Sequence, residues 1–179
     1  MILETLRIVT DWLKDTTYGV GPMLAALPMD GSDTRPTAPT VTDETRDGPA
    51  ARRKISPAEE PALLVRQADP ADLNGEPFPN NGPRDAVVHL AIWYGDKKSA
   101  SEKGNQAAHY VLRAAAQSLR LLTGPTQAAT AAAVAAKTRN NVQLLKCEDL
   151  KLVSVHEPLE DSVFLGVLLA TYKVRDLTP

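Results

Sequence analysis

Apolar positions are densest near the end of the chain, in Val163-Phe164-Leu165-Gly166-Val167-Leu168-Leu169-Ala170-Thr171-Tyr172-Lys173-Val174. With a period of two, Val163, Leu165, Val167 and Leu169 share one side, and Phe164, Leu168, Ala170 and Tyr172 share the other. A strand that is apolar on both sides belongs inside a sheet with something packed on each face. Asp85 to Tyr94 repeats the pattern, with Val88, Leu90, Ile92 and Tyr94 opposed to Val87, His89, Ala91 and Trp93. Leu150 to His156 forms another alternating run. The polar Glu157-Pro158-Leu159-Glu160-Asp161 predicts a five-residue turn joining it to the last strand as a hairpin. Ala62 to Gln67 is a short strand candidate, and Val142 to Lys146 an edge strand or a linker.

Helical spacing appears elsewhere. Ile2, Leu3, Leu6, Val9 and Leu13, broadened by Trp12, predict an amphipathic helix over the first fifteen or so residues. Gly21-Pro22 can open a short second helix through Leu27, since proline is tolerated in a first turn, and Pro28 closes it. Ala107, Ala108, Val111, Leu112, Ala115, Leu119 and Leu122 trace one face of a long helix that Gly124-Pro125 stops. An alanine-rich helix is predicted from Thr126 through Lys137, ended by Asn140-Asn141.

Between Met29 and Glu60 the texture changes to Asp, Thr, Pro, Gly and Arg. A segment this poor in large apolar residues does not offset its own ordering entropy. Residues 29–60 are therefore expected to form an extended loop or an arm that grips a neighbouring subunit. The element order predicts one α+β domain over residues 1–179, an antiparallel sheet with helices packed on it and a long Pro-rich loop in the N-terminal half.

Composition narrows the function classes. The 179 residues form one ordinary domain, and a formal net charge of −2 gives no global attraction to nucleic acid or an anionic membrane. The single Cys147 excludes an internal disulfide framework and a cysteine-only metal site. No apolar run approaches the roughly 20 residues of a membrane-spanning helix, and Met1-Ile2-Leu3-Glu4 lacks the basic start of a signal peptide, so no membrane partner and no secretion are expected.

Catalytic patterns fail one by one. Gly19-Val20-Gly21 lacks the third glycine of a dinucleotide fingerprint and follows a helix, where the fingerprint requires a strand. No Walker-type loop and no Gly-x-Ser-x-Gly elbow occurs. His89 suits a hydrogen-bonded core position, and His109 and His156 suit the surface. These histidines and Cys147 show no zinc-type spacing, and the carboxylates at Asp43-Glu44, Glu59-Glu60, Glu157, Glu160 and Asp161 suit a solvated surface. The expectation is a non-enzyme with no catalytic residues, no cofactor and no metal. Two basic groups, Arg52-Arg53-Lys54 and Lys97-Lys98 with Lys103, are the candidate contacts for an acidic partner or a DNA backbone. Neither is interleaved with aromatics as a single-strand-binding surface would be.

The N-terminal amphipathic helix, the Gly-Val-Gly-Pro-Met-Leu-Ala-Ala-Leu-Pro segment, the Pro/Thr/Asp-rich insertion, the strand ending Ile92-Trp93-Tyr94-Gly95 and the closing hairpin with Leu168-Leu169-Ala170-Thr171-Tyr172-Lys173-Val174-Arg175 together resemble the neck proteins of tailed bacteriophages. In outline they are most similar to the tail terminator family. That resemblance implies a structural virion protein, made in the host cytoplasm. It would form a homo-oligomeric ring, typically a hexamer, at the head-proximal end of the tail, ending tube polymerisation and joining the tail to the connector. The implied partners are the tail tube protein and the head-tail connector protein, with DNA passing through the ring lumen. Two alternatives stand beside it. One is another neck protein, a head-completion or connector adaptor. The other is a small ligand-binding domain or enzyme, whose pocket between sheet and helices His89, Tyr110 and His156 would line.

Overall fold

A computed structural model describes residues 2–43, 61–68, 85–96, 102–124, 131–159 and 162–177, with side chains left aside at 102–104, 154–159 and 162–165. In chain order the elements are α1 (Ile2–Leu13), α2 (Val20–Ala26), β1 (Thr40–Asp43), β2 (Ala62–Gln67), β3 (Asp85–Asp96), α3 (Glu102–Thr123), α4 (Ala131–Ala136), β4 (Thr138–Arg139), β5 (Val142–Leu159) and β6 (Ser162–Asp176).

The strands form one six-stranded sheet in the order β1-β2-β3-β6-β5-β4. The class is α+β, as the order of helix and strand patterns along the chain implies. The sheet is mixed rather than wholly antiparallel: β1 lies parallel to β2, and every other pairing is antiparallel. β6 sits between β3 and β5, the interior position its two apolar faces require. Its register with β3 runs from Asp85↔Arg175 to Asp96↔Val163, with a slip after Tyr94 that leaves Leu165 unopposed.

The described helices share one face of the sheet. Val41, Leu63, Val65, Val88, Leu90, Ile92, Leu168, Ala170, Tyr172 and Val174 point into a single core with Val9, Trp12 and Leu13 of α1, Leu24 of α2 and Val111, Leu112, Leu119 and Leu122 of α3. Each fully buried leucine among them contributes about 1.5–3 kcal/mol of transfer free energy. The other face carries smaller clusters, Ala62 and Leu64 with Trp93, and Ala68, Ala91 and Val167 with Val153 and Leu169. Gly166 allows α3 to approach β6 closely, because a Cβ there would stand 2.7 Å from Leu112 Cδ1. Leu112 is itself only 1% exposed, so that methyl has little room to retreat.

Local signals set the joints. α1 stops where Asp15 Oδ1 accepts from the backbone N–H of Thr17 and of Tyr18, each at 2.7 Å. This turn lays Tyr18 flat on Trp12, with centroids 5.5 Å apart and rings 1° from parallel. Gly19 follows because any Cβ would lie 2.3 Å from the Asp15 carbonyl oxygen. The Trp12 indole N–H donates to the Ser118 carbonyl at 2.8 Å, and Ser118 Oγ donates to the Tyr18 carbonyl at 2.7 Å, stitching α1 and its turn to α3.

Several expectations need correction. Val142–Lys146 and Leu150–His156 are parts of a single 18-residue strand, β5. The polar Lys146-Cys147-Glu148-Asp149 interval that divides them in sequence is absorbed by register shifts at Leu144/Lys146 and Cys147/Asp149. The predicted five-residue turn is mostly strand, since Glu157, Pro158 and Leu159 pair with Phe164, Val163 and Ser162. Asn140-Asn141 is a hairpin turn between β4 and β5, with φ of 45° and 62°, a conformation asparagine tolerates. α4 covers only Ala131–Ala136 of the helix expected from Thr126, and 125–130 lie outside the described residues. Apart from these corrections, the first part of the 29–60 segment is anchored by Asp33 and Arg35 and enters the sheet as β1, while 44–60 lie outside the described residues.

Candidate functional site

The strap from Leu27 to Thr40 is polar in sequence, yet specific side chains hold it. Asp33 accepts from the Tyr110 hydroxyl at 2.8 Å and from the Gln106 side-chain amide, so α3 grips it with two donors one helical turn apart. The Tyr110 oxygen also accepts from the Asp30 N–H at 3.1 Å. Arg35 donates to the carbonyls of Leu24 and Leu27, closing the C-terminal end of α2 with a cation where the helix leaves carbonyls unpaired. These contacts aim the strap at β1, which adds itself to the sheet edge through Thr40 N–H to the Pro61 carbonyl, 2.8 Å.

On the sheet face opposite the helices, polar groups pair across strands. Arg175 forms a fork with Asp85, Nε to Oδ1 at 2.7 Å and Nη2 to Oδ2 at 3.1 Å, and Lys173 Nζ stands 3.5 Å from the same carboxylate. The hydrogen-bonded Arg175 guanidinium, with Lys173 beyond it, holds the Asp85 carboxyl below its ordinary range. Next along the strand, His89 Nδ1 lies 3.0 Å from Thr171 Oγ1. Arg66 then stacks over the Trp93 ring, 4.3 Å from its centroid.

The candidates drawn from sequence fall in different places. Arg52, Arg53, Lys54, Lys97 and Lys98 lie outside the described residues. Lys103 is in the first turn of α3, and its backbone alone is described. His89 and Tyr110 are on opposite sides of the sheet, one bonded to Thr171 and the other buried among the helices and bonded to Asp33. They line no common pocket. His109 is exposed, edge-on to Tyr110; His156 lies in β5, with only its backbone described. Burial pushes the half-buried Cys147 thiol up to about 11, and it donates to the Asp149 carbonyl, a thiol kept protonated at neutral pH. Burial also lifts the Tyr94 and Tyr172 phenols above their ordinary range. Among the described residues no group of three or more His, Cys, Asp or Glu could hold a metal ion, and no helix is long and apolar enough to cross a membrane.

Two open grooves are lined by described residues. One, of about 340 Å³, runs between α1 and the α4–β4 corner, past Ile8, Trp12, Ala132 and Ala136, and is bridged by the Asp11–Arg139 ion pair. The other, of about 400 Å³, lies beside Lys14, Val20, Pro22, Pro39 and Val41. Neither gathers convergent polar groups around an enclosed apolar space, as a small-molecule site does.

No protein-family model and no curated protein matches the chain.

The Asp33 and Asp85 contacts escape a reading of sequence because each joins residues far apart in the chain, as with Asp85 and Arg175, 90 positions apart. One signal was accessible. An Asp at the start of one interior strand and an Arg at the end of another become direct neighbours if those strands pair antiparallel.

Proposed function

We propose that this chain is a non-enzymatic structural protein of a tailed-phage virion, a tail terminator that closes into a ring at the head-proximal end of the tail tube. There it stops tube polymerisation and joins the tube to the head connector. The observation that carries this reading is how the polar side chains are used. His89, Tyr110, Asp33, Arg35 and Asp85 each tie one element of the body to another, and His89 and Tyr110 do so on opposite sides of the sheet. A body braced in this way is a stiff wedge, and cyclic symmetry turns a repeated head-to-tail contact between such wedges into a ring of fixed size. The order of elements and the quoted segments, which resemble the tail terminator family, supply the rest.

The reading is tested by mixing the purified chain with the tail tube protein and imaging by negative stain. Rings seated on tube ends, together with tubes of limited length, are expected. A chain that leaves tube growth unchanged and never occupies a tube end overturns the assignment.

A further inference from the structure

The outer edge of β5 is open along its middle. β4 pairs only with Val142 and Gln143, and beyond them the Leu144 N–H reaches the Lys137 carbonyl at 2.8 Å. From there on, among the described residues, β5 pairs with β6 alone. Between the register shifts at Cys147/Asp149 and Ser154/Glu157 lies one regular stretch, Asp149 to Ser154.

The ladder determines which backbone groups point outward. Leu177 donates to the Asn141 carbonyl, so odd-numbered residues at this end of β6 are the ones bonded toward β5. Asp149, Lys151 and Val153 stand opposite Thr171, Leu169 and Val167 and bond inward. Leu150, Leu152 and Ser154 therefore aim their N–H and C=O groups away from the sheet. Solvent reaches this edge: Asp149 and Lys151 are exposed, and Leu152 is 42% exposed although it stands opposite Leu168, which is 1% exposed. A regular edge with an exposed leucine is a template for another strand.

This edge is complementary to itself. A two-fold axis normal to the sheet sets β5 of one copy antiparallel to β5 of another, with both helix layers on the same side. The alternation of backbone groups then requires outward residues to meet outward residues. With the axis at Leu152, the leucine faces its own counterpart, Leu150 faces Ser154 and Lys151 faces Val153, all within the regular stretch. Neighbouring alignments are worse. An axis at Lys151 sets like charges directly opposite each other; one at Leu150 runs into the shift at Cys147/Asp149, and one at Val153 into the shift at Ser154/Glu157.

We infer that two copies of this chain pair through Leu150–Ser154 of β5 across a two-fold axis at Leu152, joining their sheets into one. About six backbone hydrogen bonds and the contact between the leucines hold the pair, an interface of the small, concentration-dependent class. Each copy spends its edge once, so the contact closes at a dimer and does not propagate. It is separate from the head-to-tail contact of the ring and does not depend on the ring reading. In the free protein it covers an edge that otherwise recruits other strands.

Sedimentation velocity of the full chain, from micromolar to near-millimolar concentration, tests the pairing. Wild type is expected to pass from monomer to dimer across that range. Leu152→Lys places like charges across the axis at a solvated position. It should keep the circular dichroism and unfolding midpoint while weakening association at least about tenfold. Oxidised Leu152→Cys should link two chains, since Cα atoms of a bonded antiparallel pair stand about 5.5 Å apart, within disulfide reach. Lys151→Cys, which faces Val153, should not link, and neither should wild type with Cys147 alone. If Leu152→Lys does not fold, the two cysteine variants decide. A wild-type monomer at every concentration overturns the inference, as does association that Leu152→Lys leaves unchanged, or linkage through Lys151→Cys in preference to Leu152→Cys. Tube capping is measured separately, and its outcome bears on the ring reading alone.

Discussion

Single residues do two kinds of work in this chain, filling the core and clamping strands, and Asp85 belongs to the second kind. Its carboxylate receives the Arg175 fork and stands near Lys173, which holds its acidity above that of a free side chain whose ordinary value is 3.8. A carboxyl whose folded value lies below its unfolded value stabilises the fold fully above the unfolded value. The contribution is lost as pH falls through the folded value. Asp85→Asn is therefore expected to lower the urea midpoint at pH 7, with the gap from wild type closing progressively below about pH 4 and narrowing in high salt. Equal midpoints at neutral pH, or a gap that widens on acidification, would contradict the clamp. Gly166 is of the first kind, a residue chosen for what it leaves out, because α3 needs the space a side chain would take.

At the scale of elements, the strap between α2 and β1 is the place where composition and structure part. Its makeup, poor in large apolar residues, gives it little burial with which to order itself. What orders residues 28–39 is a handful of polar contacts to α2 and α3, of which the Tyr110 hydroxyl makes two. Tyr110→Phe keeps the buried ring and removes both. Amides of the strap and of β1 should then exchange about tenfold or more faster, the equivalent of one charge-assisted hydrogen bond, while the β3 and β6 amides keep their rates. Uniform acceleration across the sheet, or none in the strap, would show that the anchors do not act locally. Much else at this scale was legible beforehand. β2, β3, β6, α1 and α3 follow from periodicity, since each buries a continuous apolar face that leaves its period in the sequence. β5 did not, because its bulges let charged Lys146, Glu148 and Asp149 sit inside a strand without breaking it. β1 did not either, since four residues at a sheet edge bury little besides Val41. The polar cross-strand cluster of Asp85, His89 and Arg66 was hidden for a further reason: register decides which side chains meet, and register is a property of pairs of strands.

Taken whole, the molecule is held together by contacts between distant parts of the chain. The interior pair β3 and β6 brings together residues 67 to 90 positions apart, Trp12 reaches Ser118 across 106, and Asp11 reaches Arg139 across 128. No central strand pairing can form until β6 has been made and brought back beside β3, so the entropy of closing a long loop precedes most of the energy gained by burial. Mixed α/β and β-rich topologies of this kind fold in milliseconds to seconds, whereas locally connected helical bundles reach microseconds. Stopped-flow refolding from urea should accordingly give a main phase slower than about 1 ms. Ile92→Val, in the β3–β6 core, should slow refolding in proportion to its equilibrium loss of about 0.5–1.5 kcal/mol, and Ala133→Gly in the peripheral α4 should chiefly speed unfolding. The contrast decides whether the β3–β6 pairing forms the nucleus. If Ile92→Val alters only the unfolding limb while Ala133→Gly slows refolding, then α4 and its corner organise the chain first and the central strands assemble on them afterwards.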